Sequence, residues 1–148
     1  NHYHFLLCQI RDNGITEFMH KLNTSYTMYF NLNQKRTGRR CEYTFKASLV
    51  KTDEILIHIV RYIHLNPLIA GLVSDLEFWP WSSYLETLGK RPNSFCMYEA
   101  ILYFFNNENP PNIQKARLKY EKFVHNQAAY AQLLHQIQTI KNENSLFL

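Results

Sequence analysis

The chain has 148 residues, 46% of them hydrophobic, which suits one domain or a domain with a helical extension; 16 Lys and Arg against 12 Asp and Glu give a net charge of +4 and a pI near 9.0. That moderate basic excess is compatible with a polyanionic partner without requiring one. Cys8, Cys41 and Cys96 are odd in number and far apart, with no CxxC pair, which argues against a disulfide framework or a thiolate zinc site and for a reducing, intracellular setting; no apolar run approaches the roughly 18 residues of a membrane span, and no basic-then-apolar leader opens the chain.

In chain order, residues 2–10 form an apolar run typical of an interior strand. His2 and His4 flank one bulky residue there, so on a strand both imidazoles project from the same face. Asp12-Asn13-Gly14 breaks the run. Ile15, Phe18, Met19, Leu22, Tyr26, Tyr29 and Phe30 then recur at three- and four-residue steps, which predicts an amphipathic helix over 15–32. Residues 34–40 read as a loop and hold the densest positive patch, Lys35, Arg36, Arg39 and Arg40. Cys41, Tyr43, Phe45 and Ala47 alternate with Glu42, Thr44, Lys46 and Ser48, the period-two pattern of a second strand.

Thr52-Asp53 can cap the next helix, in which Ile55, Leu56, Ile59, Val60 and Ile63 make the buried stripe until Pro67 ends it. Tyr62 and Asn66, four apart, share a face on its last turn. Asn66 precedes proline and is pushed out of ideal helical geometry, so its side chain can point off the helix end. The aromatic segment 77–84 is expected to fold back over the core as a hydrophobic latch. Residues 91–94 look like a boundary, followed by helical patterns over 98–105, 113–124 and 128–140. On the second of these, Lys115, Arg117, Lys119 and Lys122 form either a basic face toward DNA or, more simply, a solvated one.

Taken singly, these features are weak. A His-x-His can be two partly exposed polar residues, and a lone tyrosine on an amphipathic helix is more often packed at the core or its rim. Together they suit DNA nicking by transesterification. A tyrosine attacks phosphorus and retains the broken end as a 5′-phosphotyrosine, while a divalent ion held by two imidazoles and an amide oxygen neutralises charge on the phosphate. His2, His4 and Asn66 match that ligand set and Tyr62 the nucleophile. His64 lies about 200° around the helix from Tyr62 and faces away from it. His20, His58, His125 and His135 lack partners at metal spacing and read as surface or packing residues.

Asn-His-Tyr-His-Phe-Leu-Leu at 1–7, Tyr-Ile-His-Leu-Asn-Pro-Leu-Ile-Ala-Gly-Leu-Val at 62–73 and Trp-Pro-Trp-Ser-Ser-Tyr at 79–84 resemble the successive signatures of single-tyrosine HUH transposases, the insertion-sequence type and its REP-associated relatives. The segment 18–31 also looks like the family's middle helix. The resemblance covers about 1–90 and implies an α+β catalytic domain there: a ferredoxin-like antiparallel sheet with helices packed on one side. Residues 91–148 would be a helical C-terminal extension. It further implies His2, His4 and Asn66 as ligands of Mg2+ or Mn2+, Tyr62 as nucleophile, single-stranded and hairpin-bearing DNA as substrate, a possible homodimer, and action on nucleoid DNA in the cytoplasm of a bacterium or archaeon. Lys35, Arg36, Arg39, Arg40 and Lys46 would contact DNA.

Two departures stand out. Thr44 occupies the position where the family commonly has an arginine. The family's opening strand and helix do not precede the His-x-His segment, so a central-strand edge is expected to be open and prone to pair with another chain. The rival function is a non-catalytic or truncated DNA-binding remnant of such a transposase. A metal-dependent hydrolase is weaker, because no Asp or Glu lies at motif spacing.

Overall fold

In a computed structural model, residues 3–41, 44–92 and 95–128 are described. The chain forms two compact units, Asn1–Lys51 and Thr52–Leu148. The first is organised by helix α1 (Gly14–Asn33), within one residue of the span its three- and four-residue periodicity predicts. Asn13 sets up the start in the left-handed region at φ 58°, a conformation asparagine tolerates better than most residues. The Gln9 side chain accepts from the Ile15 N–H at 3.4 Å. At the other end, the Asn31 amide donates to the Gly38 carbonyl at 2.9 Å and the Arg40 guanidinium lies 4.0 Å from the Phe30 ring centroid, so the basic loop folds back on its helix.

The expected ferredoxin-like sheet is not there: the described residues contain helices and turns and no strand. The physical reason is that period-two patterning marks a face, whereas a strand exists only when a neighbour satisfies its ladder of N–H and C=O groups. Residues 3–10 instead run back along α1 through side chains. Tyr3 donates to the Asn23 Oδ1 at 2.5 Å, and the Phe5 and Phe18 rings meet edge-on with centroids 6.1 Å apart. Residues 44–50 likewise form no ladder, and Glu42 and Tyr43, inside the second expected strand, lie outside the described residues. With the strand goes the argument for an open central-strand edge.

The second unit is built on α2 (Asp53–Ile69), followed by a 3-10 turn (Leu76–Phe78), α3 (Tyr84–Thr87), α4 (Tyr98–Leu102), a second 3-10 turn (Tyr103–Phe105) and α5 (113–128). Thr52 caps α2 as expected, its hydroxyl accepting from the Ile55 N–H. Pro67 does not end the helix. A proline removes one intrahelical hydrogen bond, and so close to the C-terminus the helix runs on for two residues. The stop comes from Gly71 at φ 66°, where Gly71 N–H donates to the Leu68 carbonyl and Leu72 N–H to the Pro67 carbonyl, the paired bonds of a Schellman motif. Asn66 is therefore helical rather than displaced.

The buried stripe of α2 is also rotated from the expected one. Val60, His64, Leu65, Pro67 and Leu68 are buried, whereas Ile55 is exposed. Val60, Leu65 and Leu68 pack with Leu76, Tyr84, Leu88, Leu102, Ala116, Tyr120 and Val124 into one core that draws on both sides of the 91–94 segment. The expected aromatic latch is only partly one. Tyr84 is buried and Trp79 half-buried, but Phe78 and Trp81 are exposed. Of the third expected C-terminal helix, residues 129–140 lie outside the described residues. Among the described residues no helix is long and apolar enough to cross a membrane.

Arg91 and Gly89 shape the segment after α2. Arg91 donates to Glu86 Oε1 at 2.6 Å and to the carbonyls of Pro80 and Ser82 at 2.5 and 2.8 Å, tying the aromatic loop to α3. The Glu86 side chain is 8% exposed, so the pair is poorly screened. Arg91→Met is expected to cost about 3 kcal/mol in chemical denaturation because it strips a buried carboxylate of this cation, with much of the loss recovered in Arg91→Met/Glu86→Gln. Gly89 ends α3 in a second Schellman motif at φ 72°, and a Cβ there would lie 2.4 Å from the Arg117 Cζ. Gly89→Ala is expected to lose about 1–2 kcal/mol by the same measurement, since it adds left-handed strain and pushes the Arg117 side chain aside.

Candidate active site

Helix α2 presents Tyr62 because its opposite side is held in the core. His64 is 2% exposed and bonded at both ring nitrogens, Nδ1 to the Tyr120 hydroxyl at 2.7 Å and Nε2 to Ser83 Oγ at 2.9 Å. Burial pushes its pKa down to about 4, so the ring is neutral at physiological pH. A phenol is a stronger hydrogen-bond donor than an aliphatic hydroxyl, which favours the tautomer in which Tyr120 O–H donates to Nδ1 and Nε2–H donates to Ser83 Oγ. His64 is thus a structural tie across α2, the 82–84 segment and α5, and takes no part in the Tyr62 face.

Tyr62, 49% exposed, stands on that outer face. Asn66 is half-buried one turn later, so the four-residue spacing does bring the two onto adjacent surface. The other tyrosines near the core differ in kind. Tyr84 and Tyr120 are buried, and burial raises both phenol pKa values, which disfavours the phenolate a nucleophile needs. Tyr26 and Tyr29 lie exposed on α1 in the first unit.

The histidine pair belongs to the first unit. His4 is half-buried and lies in sequence between Tyr3 and Phe5, whose rings meet each other with centroids 5.0 Å apart, and His2 lies outside the described residues. Among the described residues no three His, Cys, Asp or Glu side chains gather as a metal cage. The expected ligand set falls outside that description, because one member is His2 and another is an amide. Its donor chemistry, two imidazoles and one amide oxygen, suits a borderline divalent ion that keeps open positions.

Of the basic residues expected to meet DNA, Lys35 and Arg36 line a shallow depression on the last turn of α1 with Met28, Asn31 and Leu32. Arg40 is spread on Phe30. None of Lys35, Arg36, Arg39, Arg40 and Lys46 forms an ion pair among the described residues.

No family model, curated protein or solved structure matches this chain.

Sequence reasoning passed over a cluster beside Tyr62. His58, read there as a surface or packing residue, accepts from the Arg61 Nη2 through Nδ1 at 2.6 Å. The Arg61 guanidinium lies 4.1 Å from the Phe123 ring centroid, and the His58 ring lies 5.8 Å from the same ring. The signal available in sequence was the spacing of His58, Arg61 and Tyr62 at three- and four-residue steps on one helix. Phe123, more than fifty positions away, gave none.

Proposed function

We propose that the chain is a metal-dependent, single-tyrosine transposase that nicks and rejoins single-stranded, hairpin-bearing DNA through a 5′-phosphotyrosine intermediate. The observation that carries this reading is Tyr62: a half-exposed phenol on the outer face of a helix whose inner face is pinned by His64, with Asn66 one turn on. Three sequence signatures in the family's order support it.

In the nicking step the Tyr62 oxygen forms a bond to phosphorus as the bond from phosphorus to the 3′-oxygen breaks. The phenolic proton passes to solvent, the departing 3′-oxygen takes the bonding pair and a proton, and the products are a 5′-phosphotyrosine and a free 3′-hydroxyl. The reverse reaction rejoins the strand without an external energy source. A divalent ion, Mg2+ or Mn2+, bound by His2, His4 and Asn66, would neutralise developing charge on the phosphate. Lys35, Arg36, Arg39, Arg40 and Lys46 would hold the DNA backbone. The setting is the cytoplasm of a bacterium or archaeon, and a second copy of the chain is a possible partner.

The test is incubation of the protein with a labelled pool of hairpins bearing single-stranded flanks, with Mg2+, Mn2+ or chelator. A protein–DNA adduct that survives denaturation and requires the metal is the expected result. The second reading is a non-catalytic DNA-binding descendant of such a transposase, favoured by the lack of any β-ladder among the described residues. DNA binding with no adduct in either metal would establish that reading instead.

A further inference from the structure

We infer that Arg61, held by His58 and Phe123, is a phosphate-binding residue that takes the non-bridging oxygens of the phosphodiester beside Tyr62. This rests on the reading of Tyr62 as a DNA nucleophile, and it adds a residue that the signature motifs do not assign.

The first argument is place. Arg61 directly precedes Tyr62 on α2, and His58 lies one turn before Tyr62 on the same helix. Long helical side chains lean toward the N-terminus, so the Tyr62 ring covers surface next to His58. The second is orientation. Stacking on Phe123 at 4.1 Å and the 2.6 Å bond to His58 Nδ1 restrict the guanidinium plane. That bond requires Nδ1 to accept, so the His58 proton sits on Nε2 and the ring adds no charge of its own.

The third argument is charge. A guanidinium offers five N–H donors in a fork that fits a phosphate bidentately, and the bond to His58 uses one of them. Among the described residues no carboxylate pairs with Arg61. Of the other cations of this unit, Lys90 pairs with Glu77 and Glu121, Arg91 with Glu86 and Lys115 with Glu108, while Lys119 and Lys122 on α5 are exposed and, among the described residues, form no ion pair and stack on no ring that fixes them. Arg117 also lacks an acidic partner among the described residues, but it packs on Tyr98 and Gly89 and has no nucleophile beside it in the chain. A partly buried, stacked cation with no carboxylate partner among the described residues, next to an exposed phenol, is suited to an anion that arrives with the substrate.

The experiment uses the whole chain and two probes. With dT20, log affinity is measured against log salt for the wild type, Arg61→Gln and Arg61→Lys, with melting followed in parallel. Arg61→Gln is expected to flatten the slope by about 0.7, the value for one single-strand phosphate contact, and to weaken binding about tenfold at low salt. Arg61→Lys keeps the slope, because the charge remains. With the hairpin pool, Arg61→Lys is expected to lower the rate of adduct formation at least tenfold, because an ammonium cannot replace the fork.

A folded Arg61→Gln protein with unchanged slope and affinity overturns the inference, and so does a variant that loses only melting temperature, since Arg61 would then be a packing residue. The two readings separate cleanly. A flattened slope in a protein that never forms an adduct keeps the phosphate site and removes the nicking reading. An adduct with an unmoved slope does the reverse.

Discussion

Tyr62→Phe is expected to abolish the metal-dependent protein–DNA adduct while leaving the fold as stable as before. The substitution removes one oxygen from a side chain that is 49% exposed on the outer face of α2 and keeps the ring, so no cavity opens in the core. Stability is expected to stay within about 0.5 kcal/mol of the parent, the ordinary range for a surface change. The loss of adduct is expected to exceed about 1,000-fold, because a benzene ring supplies no attacking atom and the step has no slower version that leaves the same covalent product. Affinity for dT20 is expected to persist, since that depends on the basic side chains rather than on the phenol. If Tyr62→Phe still forms the adduct, another tyrosine is the nucleophile, and Tyr26 and Tyr29 on α1 are the next to replace. A clean loss in Tyr62→Phe, with retained melting and retained binding, assigns the role.

What could be read from sequence followed a simple physical line: features encoded within one turn or one helix were legible, and features that depend on a distant partner were not. The span of α1 followed from apolar residues at three- and four-residue steps, and the start of α2 from Thr52, whose hydroxyl has only to reach a backbone N–H three residues on. The strands failed because neither the apolar run at 2–10 nor the alternation over 41–48 can supply the neighbour that makes a ladder. The end of α2 was misread for a related reason. Proline was treated as a stop, but the terminating geometry resides in Gly71, which alone tolerates φ 66° without strain.

The candidate site divides the same way. The adjacency of Tyr62 and Asn66 was a matter of helical repeat and is realised on α2. Arg61 was invisible as anything but a surface charge, because the two partners that fix its plane differ in kind: His58 is local, while Phe123 comes from α5. His64 was correctly set apart from Tyr62 by the angle between them. Its burial was not foreseen, because the apolar stripe was drawn through Ile55 and Ile59 when Val60, His64 and Leu68, also four apart, form the true inner line. A histidine in such a line weakens its hydropathy signal, and only Tyr120 and Ser83, brought in by the fold, make it tolerable there.

That burial makes stability depend on pH. His64 in the unfolded chain titrates near 6.5, whereas in the fold burial holds it down to about 4. Between those values the unfolded state binds the extra proton and the folded state does not, so stability falls as pH is lowered through this window. Above 6.5 both states are neutral and the full contribution is present; below about 4 both are protonated and the loss is complete. A shift of this size corresponds to about 3 kcal/mol across the window. Chemical denaturation at pH 7.5 and pH 4.5 is expected to reveal most of that difference in the wild type, in excess of what His64→Gln shows, since glutamine carries no titrating group. His64→Leu separates the hydrogen bonds from the charge: it fills the space but leaves the Tyr120 hydroxyl and Ser83 Oγ without their shared partner. It is expected to cost about 2–4 kcal/mol at pH 7.5 and to flatten the pH dependence as glutamine does. Equal pH dependence in the wild type and both variants would mean that His64 ionises without breaking the core. The tie across α2, the 82–84 segment and α5 would then not be what holds Tyr62 outward.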